Sequence, residues 1–467
     1  MKDDHLSMKI VNPRAAGIDI GSKEHFVAIG QGVDQVKSFG VYAEDLKALS
    51  DYLGTHGITT VAMESTGSYW QNLYTELIHA GFEVTLCNGR FTKHVSRKKT
   101  DVLDCQWIQK LHSLGLLPSC FLPDDETEKL RTLCRHRANM IDQKADTSHK
   151  MQKYLKLLNF RLDVVVRDIT GLTGLKIISG ICSGNLDPQS LAQHRHYNCR
   201  KSEEEIAKAL VSNERADYLF GLQQEYERYL FYKIMIEKCD SKISQLLEQI
   251  VATQENPVDD LPQDKPYKRQ NKNSIKGIDL NQVSYQYFGG VDLLHIPGLS
   301  FSTVLTIMSE IGREGFAKFP TAKHFCSWLR LAPNNRISGS RVLSHKIPKG
   351  SSRIKIALRN AANAVGNLKD SDLGKFFKKI AYRKGRQAAI TATARKIAAI
   401  IWNMIVKGES YQPTNEYVFL DEKRRQIALI RKRIQKYGLN PDELGIFTRP
   451  EYQQAYGNRS NIHADNQ

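Results

Sequence analysis

Between residues 16 and 114, extended runs and helical stretches follow one another in an order that few folds accommodate. Three extended runs come first, at 16–21, 26–30 and 36–41, with no helix between them. A helix at 43–54, a strand at 60–63, a helix at 69–79, a strand at 82–87 and a helix at 101–114 then alternate. Gly81 and Gly115 stand where two of these helices should stop. A dinucleotide-binding fold is excluded on two grounds. It alternates strand and helix from the start, and it carries Gly-x-Gly-x-x-Gly after its first strand.

The order β-β-β-α-β-α-β-α resembles that of ribonuclease H-like folds. Its strand ends carry acids. Asp19 lies within the first strand, flanked by Gly17 and Gly21, and Glu64 ends the fourth. Asp101 and Asp104 are three apart and share one helix face. Uncompensated carboxylates at one sheet edge repel, and a divalent ion is the usual remedy. Oxygen donors without a nearby His or Cys cluster favour Mg²⁺ or Mn²⁺ over zinc. Two such ions would activate an attacking oxygen and stabilise a leaving one. Taken singly, each acid has a plainer reading: Thr100 or Asp101 as a helix N-cap, Asp104 in a favourable first turn, Glu64 on the surface.

The chain has 467 residues and a net charge of +17, which suggests a polyanionic partner. Residues 313–407 hold 21 Lys/Arg against 3 Asp/Glu, a net of +18. Five further cations, Arg90, Lys93, Arg97, Lys98 and Lys99, precede Asp101 and would flank the acids if a phosphate backbone entered there. The eight cysteines form no Cys-x-x-Cys pair, so a zinc ribbon is excluded, and scattered thiols fit a reducing cytosol. The polar N-terminus does not read as a signal peptide, and the longest apolar stretch, 397–406, is half a membrane span. A cytoplasmic protein that does not enter a membrane is the expectation.

Five regions are expected. Residues 10–122 form the α/β unit with the acids. Residues 123–255 are helical, with a seven-residue apolar repeat from Leu219 to Ile250 broken at Lys233 and Asp240. That repeat suits either an internal helical hairpin or a dimerisation arm. Residues 171–200 read as irregular, and 256–290 as a polar, mobile linker. Residues 291–408 form a second, mainly helical domain. Residues 409–467 hold a basic helix at 421–437 and a flexible tail.

The second domain opens with His295-Ile-Pro-Gly, which resembles half of a helix-hairpin-helix able to turn backbone amides towards phosphate. Further on, Ser338-Gly339 lies among Arg336, Arg341, Lys346, Lys349 and Arg353. A serine in a basic loop can attack phosphorus while arginines neutralise the developing charge. Ser340 and Ser344 are equal candidates on chemistry alone, and Ser-Gly is also a common turn.

Four blocks together resemble the DEDD insertion-sequence transposases, the Piv-like, bridge-RNA-guided recombinases of the insertion-sequence-110 family. They are Gly17-Ile-Asp-Ile-Gly-Ser-Lys-Glu-His, Met63-Glu-Ser-Thr-Gly-Ser-Tyr-Trp, Lys99-Thr-Asp-Val-Leu-Asp, and the C-terminal run from Pro297-Gly through Leu331-Ala-Pro and Ser338-Gly to Leu358-Arg. The resemblance implies an α/β RuvC/ribonuclease H-like domain, a long coiled-coil-like helical insert and a mainly α-helical transposase domain. It implies that Asp19, Glu64, Asp101 and Asp104 bind Mg²⁺, and that Ser338 bonds covalently to DNA. It also implies double-stranded target and donor DNA, a structured guide RNA, and a homodimer or homotetramer whose active site joins two subunits. Ser340 stands where the family often has glycine, and Cys105 where a small residue is common. Two alternatives remain at this stage. One is a junction-resolving endonuclease that uses water as nucleophile, and the other a non-catalytic nucleic-acid-binding relative.

Overall fold

The computed structural model describes residues 9–92, 100–254, 258, 261–262, 270, 273–339, 341–350, 352–368, 371–413, 427 and 429–438. The chain divides into two compact units, Met1–Leu122 and Pro123–Gln467.

The first unit is a five-stranded mixed sheet with helices on both faces. Its elements are β1 (Ala15–Ile20), β2 (His25–Ala28), β3 (Val36–Phe39), α1 (Ala43–Thr55), β4 (Thr60–Glu64), α2 (Trp70–His79), β5 (Glu83–Cys87), α3 (Gly89–Thr92) and α4 (Asp101–Ser113). The strand order is β3-β2-β1-β4-β5. β1, β2 and β3 pair antiparallel, and β4 and β5 add in parallel. Side chains alternate across a strand, so each face has its own set. Ile18, Ile20, Val61 and Met63 pack with Leu49 and Leu53 of α1 and Leu73 and Leu77 of α2. Gly17 and Asp19 belong to the opposite face, which α4 covers. A Cβ at Gly17 would meet the backbone N of Gln109 and the backbone O of Cys105. The short α3 was not foreseen from the sequence.

In the second unit two long helices, α5 (Asp125–Leu157) and α10 (Ala216–Ala252), run antiparallel. Lys150 pairs with Glu225 at 3.7 Å, and Gly221 lies against the Tyr154 ring. Asp240, which breaks the apolar repeat, is buried and pairs with the buried Arg137 of α5. Arg137 also donates to the Asn273 carbonyl at 2.9 Å. The repeat therefore serves a hairpin within one chain.

Four short helices close the end of that hairpin: α6 (Leu162–Val165), α7 (Leu172–Cys182), α8 (Pro188–Ala192) and α9 (Glu203–Lys208). They share an apolar core that includes Phe160, Ile177, Ile178, Ile181, Leu191 and Ile206. The expectation that 171–200 is irregular is thereby corrected. Its glycines do not break α7; they let it pack closely. A Cβ at Gly174 would strike the Ile169 backbone, and one at Gly180 the Leu191 side chain. The expected linker is corrected as well. Within it α11 (Leu280–Tyr287) buries Leu280, Val283 and Tyr287, and Ile275 is buried just before.

The remaining elements are α12 (Phe301–Glu310), α13 (Ala322–Trp328), β6 (Arg336–Ser338), β7 (Arg341–Ser344), α14 (Arg353–Val365), α15 (Asp372–Lys384) and α16 (Arg386–Lys407). α16 is long and apolar enough to cross a membrane, yet it packs against α13, α14 and α15 and buries Ile397, Ala398 and Ile401. That is the behaviour of a core helix. Of the expected basic helix at 421–437, residues 429–437 are helical, while 421–426 and 428 lie outside the described residues.

Candidate active site

The sheet register sets the acids. Ile18 of β1 lies opposite Met63 of β4, so the next residues along, Asp19 and Glu64, stand side by side on parallel strands. Both belong to the face that α4 covers. Glu64 ends β4 opposite Cys87 of β5. Its two carboxylate oxygens accept from different hydroxyls: Thr92 donates to Oε2 at 2.7 Å and Thr66 to Oε1 at 3.2 Å. Gly89 lies against the same carboxylate, where a Cβ would collide with it. Thr66 and Thr92 were not singled out from the sequence. A hydroxyl two residues after an acid at a strand end was the available signal.

Thr100 caps α4, accepting from the Leu103 amide at 3.3 Å, which decides between the two N-cap candidates. Asp101 and Asp104 occupy the first turn, where the helix dipole favours acids. Asp104 is half-buried and Asp101 exposed. The Cys105 thiol is pushed up to about 12, first by burial and also by the charges of Asp19 and Asp104. One buried sulfur thus feels acids from β1 and from α4. The Cys87 thiol is likewise pushed up to about 12, by burial first and by Cys120 and Glu64 after it.

The donors are all carboxylate oxygens, the chemistry a hard divalent ion takes. Among the described residues, however, no three His, Cys, Asp or Glu side chains stand close enough to hold one ion. Asp19 and Glu64 are neighbours and Asp104 shares Cys105 with Asp19, but the four do not meet at a point. Of the cations expected beside them, Arg90 is exposed on α3, and Lys93, Arg97, Lys98 and Lys99 lie outside the described residues.

Ser338 belongs to the second unit. The sequence read its surroundings as a loop; the structure folds them into a β-hairpin between α13 and α14. Ser338 pairs with Arg341 across the turn, and Gly339 takes a φ of +56°, a conformation glycine adopts without strain. Ser338, Arg341, Lys346 and Lys349 are exposed. The Ser344 hydroxyl accepts from the Lys346 amide at 3.2 Å. Ser340 and the side chain of Arg336 lie outside the described residues. The base of the hairpin is pinned: Arg330 donates to the Lys349 carbonyl at 2.6 Å, and the Lys355 ammonium to that of Gly350 at 2.9 Å.

Arg353, expected to meet nucleic acid, begins α14 and stands 3.7 Å from Glu310, a nearly buried acid at the end of α12. Arg135 donates two hydrogen bonds to the same carboxylate, at 2.9 and 2.6 Å, and Arg131 lies 3.7 Å away. Glu310 therefore joins α5, α12 and α14. The sequence reading missed it; a lone acid closing an apolar helix was the clue.

Two family models match this chain. One, described as "Transposase", covers residues 16–160, and the other, "Transposase IS116/IS110/IS902 family", covers residues 292–378. The chain is also similar to the "Insertion element IS110 uncharacterized 43.6 kDa protein" of Streptomyces coelicolor, at 27% identity over 121 residues. That stretch is 26% of this chain and 29% of the relative's length. The two models cover the acids of the first unit and the serine hairpin of the second in the order the four sequence blocks require. Over these residues the chain is similar to the IS110 family of transposases.

Proposed function

We propose that this protein is a DNA transposase that cuts and rejoins DNA strands of an insertion sequence. The observation that carries the reading is the pairing of Asp19 and Glu64 on adjacent parallel strands, on the sheet face covered by the helix that begins with Asp101 and Asp104. The strand order β3-β2-β1-β4-β5 supports a RuvC/ribonuclease H-like assignment for the first unit.

In this reading Asp19 and Glu64, with Asp101 and Asp104 drawn in from the first turn of α4, would hold Mg²⁺ or Mn²⁺, which would supply Lewis-acid stabilisation of charge on the phosphodiester oxygens. Thr66 and Thr92 fix the Glu64 carboxylate, so that it does not turn away when a phosphate approaches. Ser338, on an exposed turn beside Arg341, attacks phosphorus. A serine–phosphate ester forms as the P–O bond to one strand end breaks, and a hydroxyl of the joining strand later displaces the serine. Arg341, Lys346 and Lys349 hold the flanking phosphates. Double-stranded DNA is the substrate, and a structured guide RNA selects it by base pairing while the protein grips backbones by charge. Assembly as a dimer or tetramer brings one subunit's acids to another's serine. The enzyme acts in the cytoplasm, where the DNA is.

The test is strand cleavage on a DNA carrying the element's ends, with the co-purified RNA retained. Asp19→Asn and Asp101→Asn should abolish cleavage and leave gel-shift affinity intact; retained cleavage overturns the metal assignment. Denaturing electrophoresis should show a protein–DNA adduct that Ser338→Ala removes. Cleavage with no adduct in the parent protein would identify water as the nucleophile. An adduct that survives the substitution moves the role to Ser340 or Ser344.

A further inference from the structure

The helical cap at the end of the α5–α10 hairpin lies outside both family matches. Its principal surface feature is a cavity of about 1040 Å³ lined by residues that include Arg167, His196, Asn198, Arg200 and Lys201. That is at the top of the range, roughly 300–1,000 Å³, that encloses drug-sized ligands. Beside it Tyr197 is 80% exposed, and its ring lies against that of His196, with centroids 4.3 Å apart and the planes tilted by 34°.

The wall carrying these rings is preset. Arg195 donates to the carbonyls of Lys201 at 2.6 Å and Cys199 at 2.7 Å, which closes the segment into a loop. The His196 amide is fixed by the Thr173 hydroxyl of α7 at 3.0 Å. Charge in the cavity is also ordered. Asp163 is held below the usual carboxylate range by Arg161 first and Lys156 after it, and Asp168 accepts from the Thr170 hydroxyl. Lys201 is occupied by Glu205 at 2.8 Å. Arg167 and Arg200 are exposed and make no ion pair among the described residues.

Two guanidiniums with no ion pair among the described residues, next to an exposed Tyr197 ring held against His196, match one ligand chemistry: phosphates linked to planar bases that are free of a partner strand. A duplex hides its base faces, and a free phosphate has no use for the rings. We propose that this cap binds an unpaired nucleic-acid strand, with Arg167 and Arg200 on successive phosphates and a base stacked on Tyr197. This rests on the nucleic-acid reading of the protein, but not on its metal or its serine.

The experiment uses the full chain and 12-mers of deoxythymidine and of uridine, each in a form carrying one 5-iodopyrimidine for photocrosslinking, with a duplex of equal length as control. Irradiation should place a crosslink on Tyr197, read by peptide mass spectrometry. Tyr197→Ala should weaken single-strand affinity about fivefold or more. Arg167→Gln with Arg200→Gln should lower the slope of log affinity against log salt by about 1.4, roughly 0.7 per lost phosphate contact. Duplex affinity should not change. A response with deoxythymidine alone assigns the site to DNA, with uridine alone to RNA, and with both to a strand read without its sugar. Crosslinks confined to other segments, or slopes unchanged in the double variant, overturn the proposal. Both can occur while Asp19-dependent cleavage is intact, so the two readings fail separately.

Discussion

Gly17 decides how close α4 comes to the sheet. No side chain fits between β1 and the backbone at Cys105 and Gln109. Gly17→Ala should therefore push α4 away, carrying Asp104 from Asp19. Loss of cleavage with at least about 2 kcal/mol of lost stability in urea is the expected outcome, in the range of overpacked cores. Thr92→Val tests the Glu64 brace: it removes a hydroxyl 2.7 Å from the carboxylate at nearly constant volume, and cleavage should fall at least about tenfold with melting temperature little changed. Two buried histidines in the same unit give a pH dependence. His25 is held below its usual value by burial, and so is His112, whose ring lies 2.9 Å from the Thr60 hydroxyl. Below pH 6.5 the unfolded chain takes up protons that the folded unit resists, so stability rises with pH up to that value and falls on acidification. Thermal melts at pH 5.0 and 7.5 should show the lower midpoint at pH 5.0, and His25→Gln should reduce the difference.

At the scale of elements, the helical hairpin explains a residue that looked like an error in its pattern. Asp240 breaks the seven-residue repeat because it meets Arg137 inside the pair, not because the helix ends or faces water. Arg137→Met alone should cost about 3–5 kcal/mol by leaving a buried carboxylate unpaired. Adding Asp240→Leu should restore most of it, and a urea-denaturation cycle over the four proteins measures the coupling. The periodicity of α5 and α10 was legible because long apolar stripes dominate local propensity. The cap between them was not. Gly174 and Gly180 read as breakers in one dimension, and only the backbone of Ile169 and the side chain of Leu191 show why glycine is needed there. The serine hairpin was illegible for a related reason: β6 and β7 are three and four residues long, too short for a period to register.

For the whole molecule, charge is the property that sequence states most directly. Most of the +18 of residues 313–407 falls on α14, α15 and α16 and the hairpin segment before them, and Tyr382 of α15, 93% exposed, lies among Lys378, Lys379 and Arg383 in the sequence. Sequence-independent DNA affinity should fall linearly on a log–log plot against salt, and a salt-insensitive affinity would remove backbone charge as its source. The sequence by itself determined the order of the five strands and the longer helices of the first unit and the basic character of the second unit. These follow from local pattern and composition. The tertiary structure alone decided that Asp19 and Glu64 are neighbours, because register is a relation between strands that no single strand carries. It also decided that Thr92 braces Glu64, that Asp240 is satisfied by Arg137, and that Glu310 gathers arginines from α5 and α14. Each of these pairs residues 28 to 179 positions apart. Contacts at that separation form because burial of an ion or a carboxylate demands a partner from wherever the fold can supply one.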